Sequence, residues 1–199
     1  MHPEEFRAFE RVCVERGAGG SVLEVGAVPS KDSLLCLKSL ANCREKIGIN
    51  LDGPSTYGDF KILKANANDL SCFPDGKFDT VLCNAVLEHD PFFWKSLEEM
   101  RRVTRSGGLI VIGVPGFVKL RLENRRWYIG RIPLIRTLFP RFIDSLRAST
   151  LILQVHYYPS DYYRFSAQAV AEVFMRGLKD IRVFSHMVPP RIIGSGIKP

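Results

Sequence analysis

Long apolar runs are missing from this chain. No stretch approaches the ~20 consecutive residues that a membrane span needs, and the opening Met1-His2-Pro3-Glu4-Glu5-Phe6 is too acidic and polar for a secretory leader. Cysteines are few, odd in number and scattered. Cys13, Cys36, Cys43, Cys72 and Cys83 form no CxxC pair, which argues against a zinc site or a disulfide framework and for reduced thiols in a cytoplasmic protein without a metal. Internal repeats and low-complexity tracts are absent as well. What remains is an ordinary globular composition, 46% hydrophobic and 25% charged over 199 residues, which suits one domain spanning 1–199.

The charge is uneven. Of the net +7, nearly all the excess lies between Phe117 and Thr150. There Lys119, Arg121, Arg125, Arg126, Arg131, Arg136, Arg141 and Arg147 face only Glu123 and Asp144. Whatever the basicity serves belongs to an insertion at about 117–165.

Outside that insertion, hydrophobic periodicity alternates between strands and helices. The spacing predicts an amphipathic helix over Phe6–Val14, a buried strand at Ser21–Val25 and a helix from Ser30 to Asn42. Strands follow at Lys46–Leu51, Phe60–Ala65 and Phe78–Ala85, the last apolar enough for a central parallel strand. A helix over Pro91–Arg105, stopped by Gly107-Gly108, leads to a fifth strand at Leu109–Val114. After the insertion, a helix over Ser166–Arg176 precedes strands at Asp180–His186 and Arg191–Lys198. The expected fold class is α/β: a Rossmann-like, doubly wound, mostly parallel seven-stranded sheet with an antiparallel edge strand and a helical or loop insertion after strand five.

A doubly wound sheet binds ligands beyond the C-terminal ends of its strands. At the first strand's end the chain reads Glu24-Val25-Gly26-Ala27-Val28-Pro29-Ser30, where Gly26 lets the backbone turn tightly and approach a ligand. The second strand ends Gly48-Ile49-Asn50-Leu51-Asp52, with polar groups suited to ribose hydroxyls. The third ends Ala65-Asn66-Ala67-Asn68-Asp69.

Phe73-Pro74-Asp75-Gly76-Lys77-Phe78-Asp79-Thr80-Val81-Leu82-Cys83-Asn84-Ala85-Val86-Leu87-Glu88-His89 is similar to the acidic loop, fourth strand and following turn of the class I methyltransferase family, in its broad small-molecule branch. Leu97 to Val103 and Ser106 to Ile112 resemble that family's next helix and strand. The resemblance covers about Ser21 to Pro115 well and the last two strands more loosely. It implies S-adenosylmethionine as cofactor. Glu24, Gly26 and Ala27 would line its methionine portion, Asn50 with Leu51 its ribose, Asn66 and Ala67 its adenine, and Asn84 would sit by the methionine end. The family usually has glycine at Val28 and often at Ser30, and usually an acid at Asn50 and often at Asn66. An amide lacks the charge that strengthens a carboxylate's bond to a hydroxyl, so the cofactor would meet an altered set of contacts.

Methyl transfer from a sulfonium needs an in-line approach and a desolvated pocket, and positioning supplies much of the acceleration. Glu88 and His89 follow the fourth strand, facing the expected transfer zone. The second polar group is His156-Tyr157-Tyr158-Pro159-Ser160-Asp161-Tyr162-Tyr163-Arg164-Phe165. His156 and His89 are the candidate bases. Asp161 either orients His156 or binds a substrate hydroxyl, or else forms a structural ion pair with Arg164 while the tyrosines pack. This stretch resembles methyltransferases of glycan and natural-product tailoring, which implies an oxygen acceptor on a small, sugar-like molecule. For the basic insertion, a lid over the acceptor, contact with an anionic membrane surface carrying a lipid-linked acceptor and contact with phosphates compete with plain packing or a dimer contact. Nucleic acid ranks last, since no RNA-binding module accompanies the segment.

A methyltransferase is the leading reading. A non-catalytic methyltransferase-like subunit that binds through the insertion is the alternative. A nicotinamide enzyme is disfavoured, because Gly26-Ala27-Val28 lacks the second glycine of the GxGxxG turn.

Overall fold

The computed structural model describes residues 1–119, 150–151, 160–187 and 189–199. The expected insertion at 117–165, His156 included, therefore falls largely outside the described residues.

The chain opens with helix α1, Pro3–Arg16. Proline at its first turn, the His2 ring accepting from the Glu4 amide at 3.2 Å, and Gly17 at φ 66° fix its two ends. Strands β1 (Ser21–Val25), β2 (Glu45–Asn50), β3 (Ser55–Tyr57), β4 (Phe60–Lys64) and β5 (Phe78–Asn84) follow. After them come helix α2 (Phe93–Val103), β6 (Thr104–Pro115) and the small ladder of β7 (Val118–Lys119) with β8 (Thr150–Leu151). Helix α3 opens as an α turn, Ala167–Ala169, and continues with wider π-type winding over Val170–Phe174. Strands β9 (Lys179–His186) and β10 (Arg191–Ile197) complete the fold as a hairpin.

Eight strands form the main sheet in the order β3-β4-β2-β1-β5-β6-β10-β9. The central strands run parallel. The antiparallel members are β3 at one edge and β10, which lies between β6 and β9. Every residue of β1 is buried, as befits a strand covered on both faces. On one face Phe9, Val12, Leu34, Leu35 and Leu40 pack on Val22, Leu82, Val111 and Ile193. On the other, Leu97, Met100, Val170 and Phe174 join Leu23, Val81 and Ile110.

Two departures from the sequence expectation are informative. The helix expected over Ser30–Asn42 is instead two short 3-10 turns, Leu34–Cys36 and Lys38–Leu40. The leucines are still buried, but the amides of Leu34 and Leu35 donate to the Glu24 carboxylate at 3.0 and 3.3 Å. A tertiary partner thus takes over the opening of the segment. Strand β3 is additional to the seven strands expected. Its signal was Ser-Thr-Tyr ahead of a Gly58-Asp59 turn with Gly58 at φ 57°, a two-residue hairpin connection.

The loop between β4 and β5 carries no helix, and Arg102 of α2 ties it down. Its guanidinium donates to the carbonyls of Leu70 (2.8 Å) and Phe73 (3.0 Å) and to the carboxylates of Glu99 (2.8 Å) and Asp75 (2.7 Å). Arg102→Ala is expected to cost about 2 kcal/mol in urea unfolding, since two loop carbonyls lose their donor. Arg102→Lys should recover little of it, because an ammonium does not span the same fork.

Among the described residues no helix is long and apolar enough to cross a membrane. All five cysteines are free thiols.

Candidate functional site

The chain builds β1, β2 and β4 outward in one direction and then returns to lay β5 and β6 on the other side of β1. Strand order therefore reverses between β1 and β5, and a crevice opens beyond their C-terminal ends. A cleft of about 210 Å³ lies there.

Its floor is the β1 turn. Gly26 sits at φ 82°, and a Cβ on it would come within 2.3 Å of Val86 Cγ2. Only glycine lets the Val86 side chain and the backbone meet at this point. The amides of Gly26 and Ala27 both donate to the Ile49 carbonyl, at 2.9 and 3.0 Å. The turn is thereby locked to β2. Along the β2 and β4 side the wall consists of Asn50, Leu51, Ala65 and Ala67, and opposite stand Ala85, Val86 and His89. Leu51 is 60% exposed, an apolar rim with no core to join. Ala85 has φ 53°, a conformation that costs a non-glycine residue about 1 kcal/mol or more and clusters at functional sites.

Asn50 is partly committed. Its Nδ2 donates to the Ala27 carbonyl at 2.8 Å, and its Oδ1 accepts from the Asp52 amide at 3.2 Å. One N–H and one lone pair remain.

Of the residues expected at the cofactor, Gly26, Asn50, Leu51 and Ala67 line the cleft. The structure places the other four elsewhere. Glu24 is buried beneath the floor, where it accepts from the Ser33 hydroxyl and from the Leu34 and Leu35 amides. Burial pushes its carboxyl up to about 7 against those three donors. Ala27 is buried, and its methyl packs over Gly48. Asn66 is exposed and shapes its own loop, accepting from the Asn68 amide at 3.0 Å and bridging to Asp69. Asn84 is not among the residues lining the cleft, and its buried Oδ1 stands over Gly113 beside the Phe9 ring.

Among the catalytic candidates, His89 is at the cleft. Its Nδ1 donates to the Ser160 carbonyl, and its Nε2 lies 3.9 Å from Glu88 Oε1. Asp161 is not on the cleft wall. It forms a bidentate ion pair with Arg164, one arm measuring 2.6 Å, with both side chains buried. His156 lies outside the described residues. Glu88, named beside His89 in the sequence but given no role there, is fully buried, with its carboxyl pushed up to about 7 mainly by desolvation. The signal for it was its place beside His89 after β5. Nothing in the sequence gave its burial.

Comparisons with known proteins agree with this architecture. Residues 34–112 match the family described as a methyltransferase domain. An uncharacterized methyltransferase of Mycobacterium sp. (strain JLS) is 33% identical over 100 residues, 47% of this chain and 38% of that protein. The match thus spans well under half of the curated relative's length. A SAM-dependent methyltransferase from Archaeoglobus fulgidus superposes with a TM-score of 0.64 at 15% identity, over 97% of this chain and 92% of that one. The 1,6-didemethyltoxoflavin-N1-methyltransferase of Burkholderia thailandensis, crystallised with its didemethyltoxoflavin and S-adenosylhomocysteine, gives 0.63 at 15% identity, over 97% and 77%. With the strand order and the cleft at the reversal point, these show a fold shared with the solved methyltransferases and a methyltransferase-like core over residues 34–112. The matched stretch runs from the 3-10 turn at Leu34 into β6 at Ile112.

Proposed function

We propose that the chain, as one domain over 1–199, is an S-adenosylmethionine-dependent methyltransferase of the cytoplasm that O-methylates a small, carbohydrate or natural-product-type acceptor. The observation that carries the reading is the cleft itself. A glycine floor, an apolar rim and a hydrogen-bonding amide converge where the strand order reverses.

The residues fit the cofactor. Leu51, Ala65 and Ala67 offer an apolar slot for adenine, and Asn50 retains a donor and an acceptor for the ribose hydroxyls. The Gly26 turn, with Ala85 and Val86, makes room for the methionine end. Glu24 and Ala27 serve from beneath by holding that turn in place. When bound, the cofactor supplies an electrophilic methyl on a sulfonium. The protein's part is to exclude water, hold the acceptor in line and take its proton, with His89 at the mouth and His156 as candidate bases. The Asp161–Arg164 pair braces the segment that lies over the Glu88 turn, where the Tyr162 amide donates to the Glu88 carbonyl at 2.8 Å. A small-molecule acceptor is supported by the Burkholderia neighbour, and a sugar-like one by the His156–Phe165 stretch. The basic insertion is then a substrate-facing element, over a soluble acceptor or at an anionic membrane carrying a lipid-linked one.

Titration calorimetry with S-adenosylhomocysteine, S-adenosylmethionine and NAD tests this. Micromolar binding of the first two is expected, about −8 kcal/mol, with no heat from NAD. Binding of NAD alone would overturn the reading, and binding of none would leave a non-catalytic subunit acting through the insertion.

A further inference from the structure

On the same edge of the sheet the described residues form a second cavity of about 230 Å³. It is lined by Glu4, Arg7, Ala8 and Arg11 of α1 and by His186 and Met187 at the end of β9. Its position follows from strand direction. β10 is antiparallel to both β6 and β9, so β9 runs parallel to β6 and ends at the edge where the cleft opens. Three strand positions separate β9 from β5, about 14 Å at the usual spacing. No residue lines both cavities, so the second is a separate place on the ligand-binding edge.

Arg7 and Arg11 stand one turn apart on one face of α1, where like charges repel. Among the described residues no carboxylate pairs with either guanidinium, whereas Arg16, Arg44, Arg102, Arg105 and Arg191 each reach one. Both are nonetheless held in place. Arg7 Nε donates to the Pro3 carbonyl at 3.3 Å, and the Arg11 guanidinium lies over the Phe184 ring, 5.5 Å from its centre. The terminal nitrogens of the two side chains remain as donors. The Phe184 ring in turn sits 5.9 Å from that of His186. Burial keeps the His186 imidazole below its ordinary value, so it is uncharged at neutral pH. Glu4 supplies the one carboxylate of the lining, because Glu5 faces Arg191 instead, at 3.7 Å. Met187 closes the cavity at φ 69°, where an L residue is strained.

We propose that this cavity binds a phosphate group, with Arg7 and Arg11 gripping it from two sides. A guanidinium presents parallel N–H donors that fit phosphate oxygens in pairs. Two of them on neighbouring turns meet different edges of a tetrahedral group, whereas a planar carboxylate has only two oxygens to share between them. The bound anion also removes the repulsion between the two arginines. Glu4 can accept from a hydroxyl beside the phosphate, as a phosphate ester of a polyol would place one. The proposal goes beyond the methyltransferase reading and does not depend on it.

The test uses the full chain and needs neither cofactor nor turnover. In NMR titrations at about 0.15 M salt, inorganic phosphate should shift the His186 ring signals with a Kd of about 1 mM or below, and acetate should bind at least tenfold more weakly. Bound phosphate should also raise the pKa of the His186 imidazole, because a nearby anion favours its charged form. The other charged groups facing that ring are Glu4, Glu5 and Arg11. Arg7→Ala and Arg11→Ala should each weaken phosphate binding at least fivefold. Both residues are exposed, so Tm should stay within about 2 °C. Arg11→Lys keeps the charge without the fork and should still weaken binding about threefold. Arg176→Ala removes the same charge just after α3, which packs on the opposite face of the sheet, and should leave binding within about 1.5-fold. Tighter binding of glycerol 3-phosphate than of inorganic phosphate, with the difference lost in Glu4→Gln, assigns the cavity to an esterified phosphate; the reverse order assigns it to free phosphate. Weakening by Arg176→Ala equal to that of Arg7→Ala overturns the proposal, as does acetate binding as tightly as phosphate or no response of His186 to either phosphate.

Discussion

Glu24→Ala is expected to lower the melting temperature by about 10 °C, the largest effect of any single side-chain deletion near the site. The carboxylate lies under the cleft floor and accepts from the Ser33 hydroxyl and the amides of Leu34 and Leu35. Removing it leaves the Ser33 hydroxyl and the Leu34 amide buried and unmatched, at about 1–3 kcal/mol each, while the Leu35 amide keeps only its 3.2 Å bond to Ser33 Oγ. A total of about 3–5 kcal/mol corresponds to that shift for a chain of this size. The two 3-10 turns would lose their anchor on β1, and with them the packing of Leu34 and Leu35 on the sheet. The pH dependence carries its own sign. Glu24 and Glu88 both have carboxyls raised from 4.5 to about 7 in the folded protein, so the folded state binds more protons than the unfolded chain between those values. Stability is therefore fully present below about pH 4.5 and is lost as pH rises through 7. The loss is on the order of 3 kcal/mol for each carboxylate. Urea unfolding of the unaltered chain should accordingly be easier at pH 8 than at pH 5, and Glu24→Ala should flatten part of that slope.

Gly26→Ala is expected to weaken S-adenosylhomocysteine binding at least 30-fold in calorimetry, about 2 kcal/mol. Two costs combine. An L residue at φ 82° is strained, and the new methyl would stand 2.3 Å from Val86 Cγ2. Val86 is β-branched and stiff about χ1, so its relief is to swing into the cleft that it lines. The substitution leaves the Gly26 and Ala27 amides able to reach the Ile49 carbonyl, so binding should suffer more than Tm. An unchanged affinity would show that this turn is not the cofactor floor.

The strands were legible because their signal is local. Ser21–Val25 is the predicted span, and β2, β4, β5 and β10 begin and end within a residue of expectation. Apolar runs bounded by Gly, Asn and Asp mark them whatever the rest of the chain does. The helix expected over Ser30–Asn42 failed because the sequence shows which residues are apolar, not where a buried carboxylate will draw the backbone amides. Gly107-Gly108 marked a helix stop, but α2 ends at Val103 and β6 starts at Thr104, whose hydroxyl donates to the Met100 carbonyl at 2.6 Å. The two glycines lie inside the strand.

The site divides the same way. Gly26, Asn50, Leu51 and Ala67 could be placed from the sequence because a residue at a strand's C-terminal end meets the crevice by topology alone. Glu24, Asn84 and Glu88 could not, since the chain order says nothing of which face a side chain enters or what it finds there. By itself the sequence determined the alternating fold, the location of the cleft and the chemistry at its rim, because periodicity and strand ends are local properties. Only the tertiary structure decided that Glu24 is a brace, that Asp161 pairs with Arg164, and that Arg191 stands between Glu5 and Glu88. Burial and pairing arise between segments as distant as α1 and β10, and no local pattern records them.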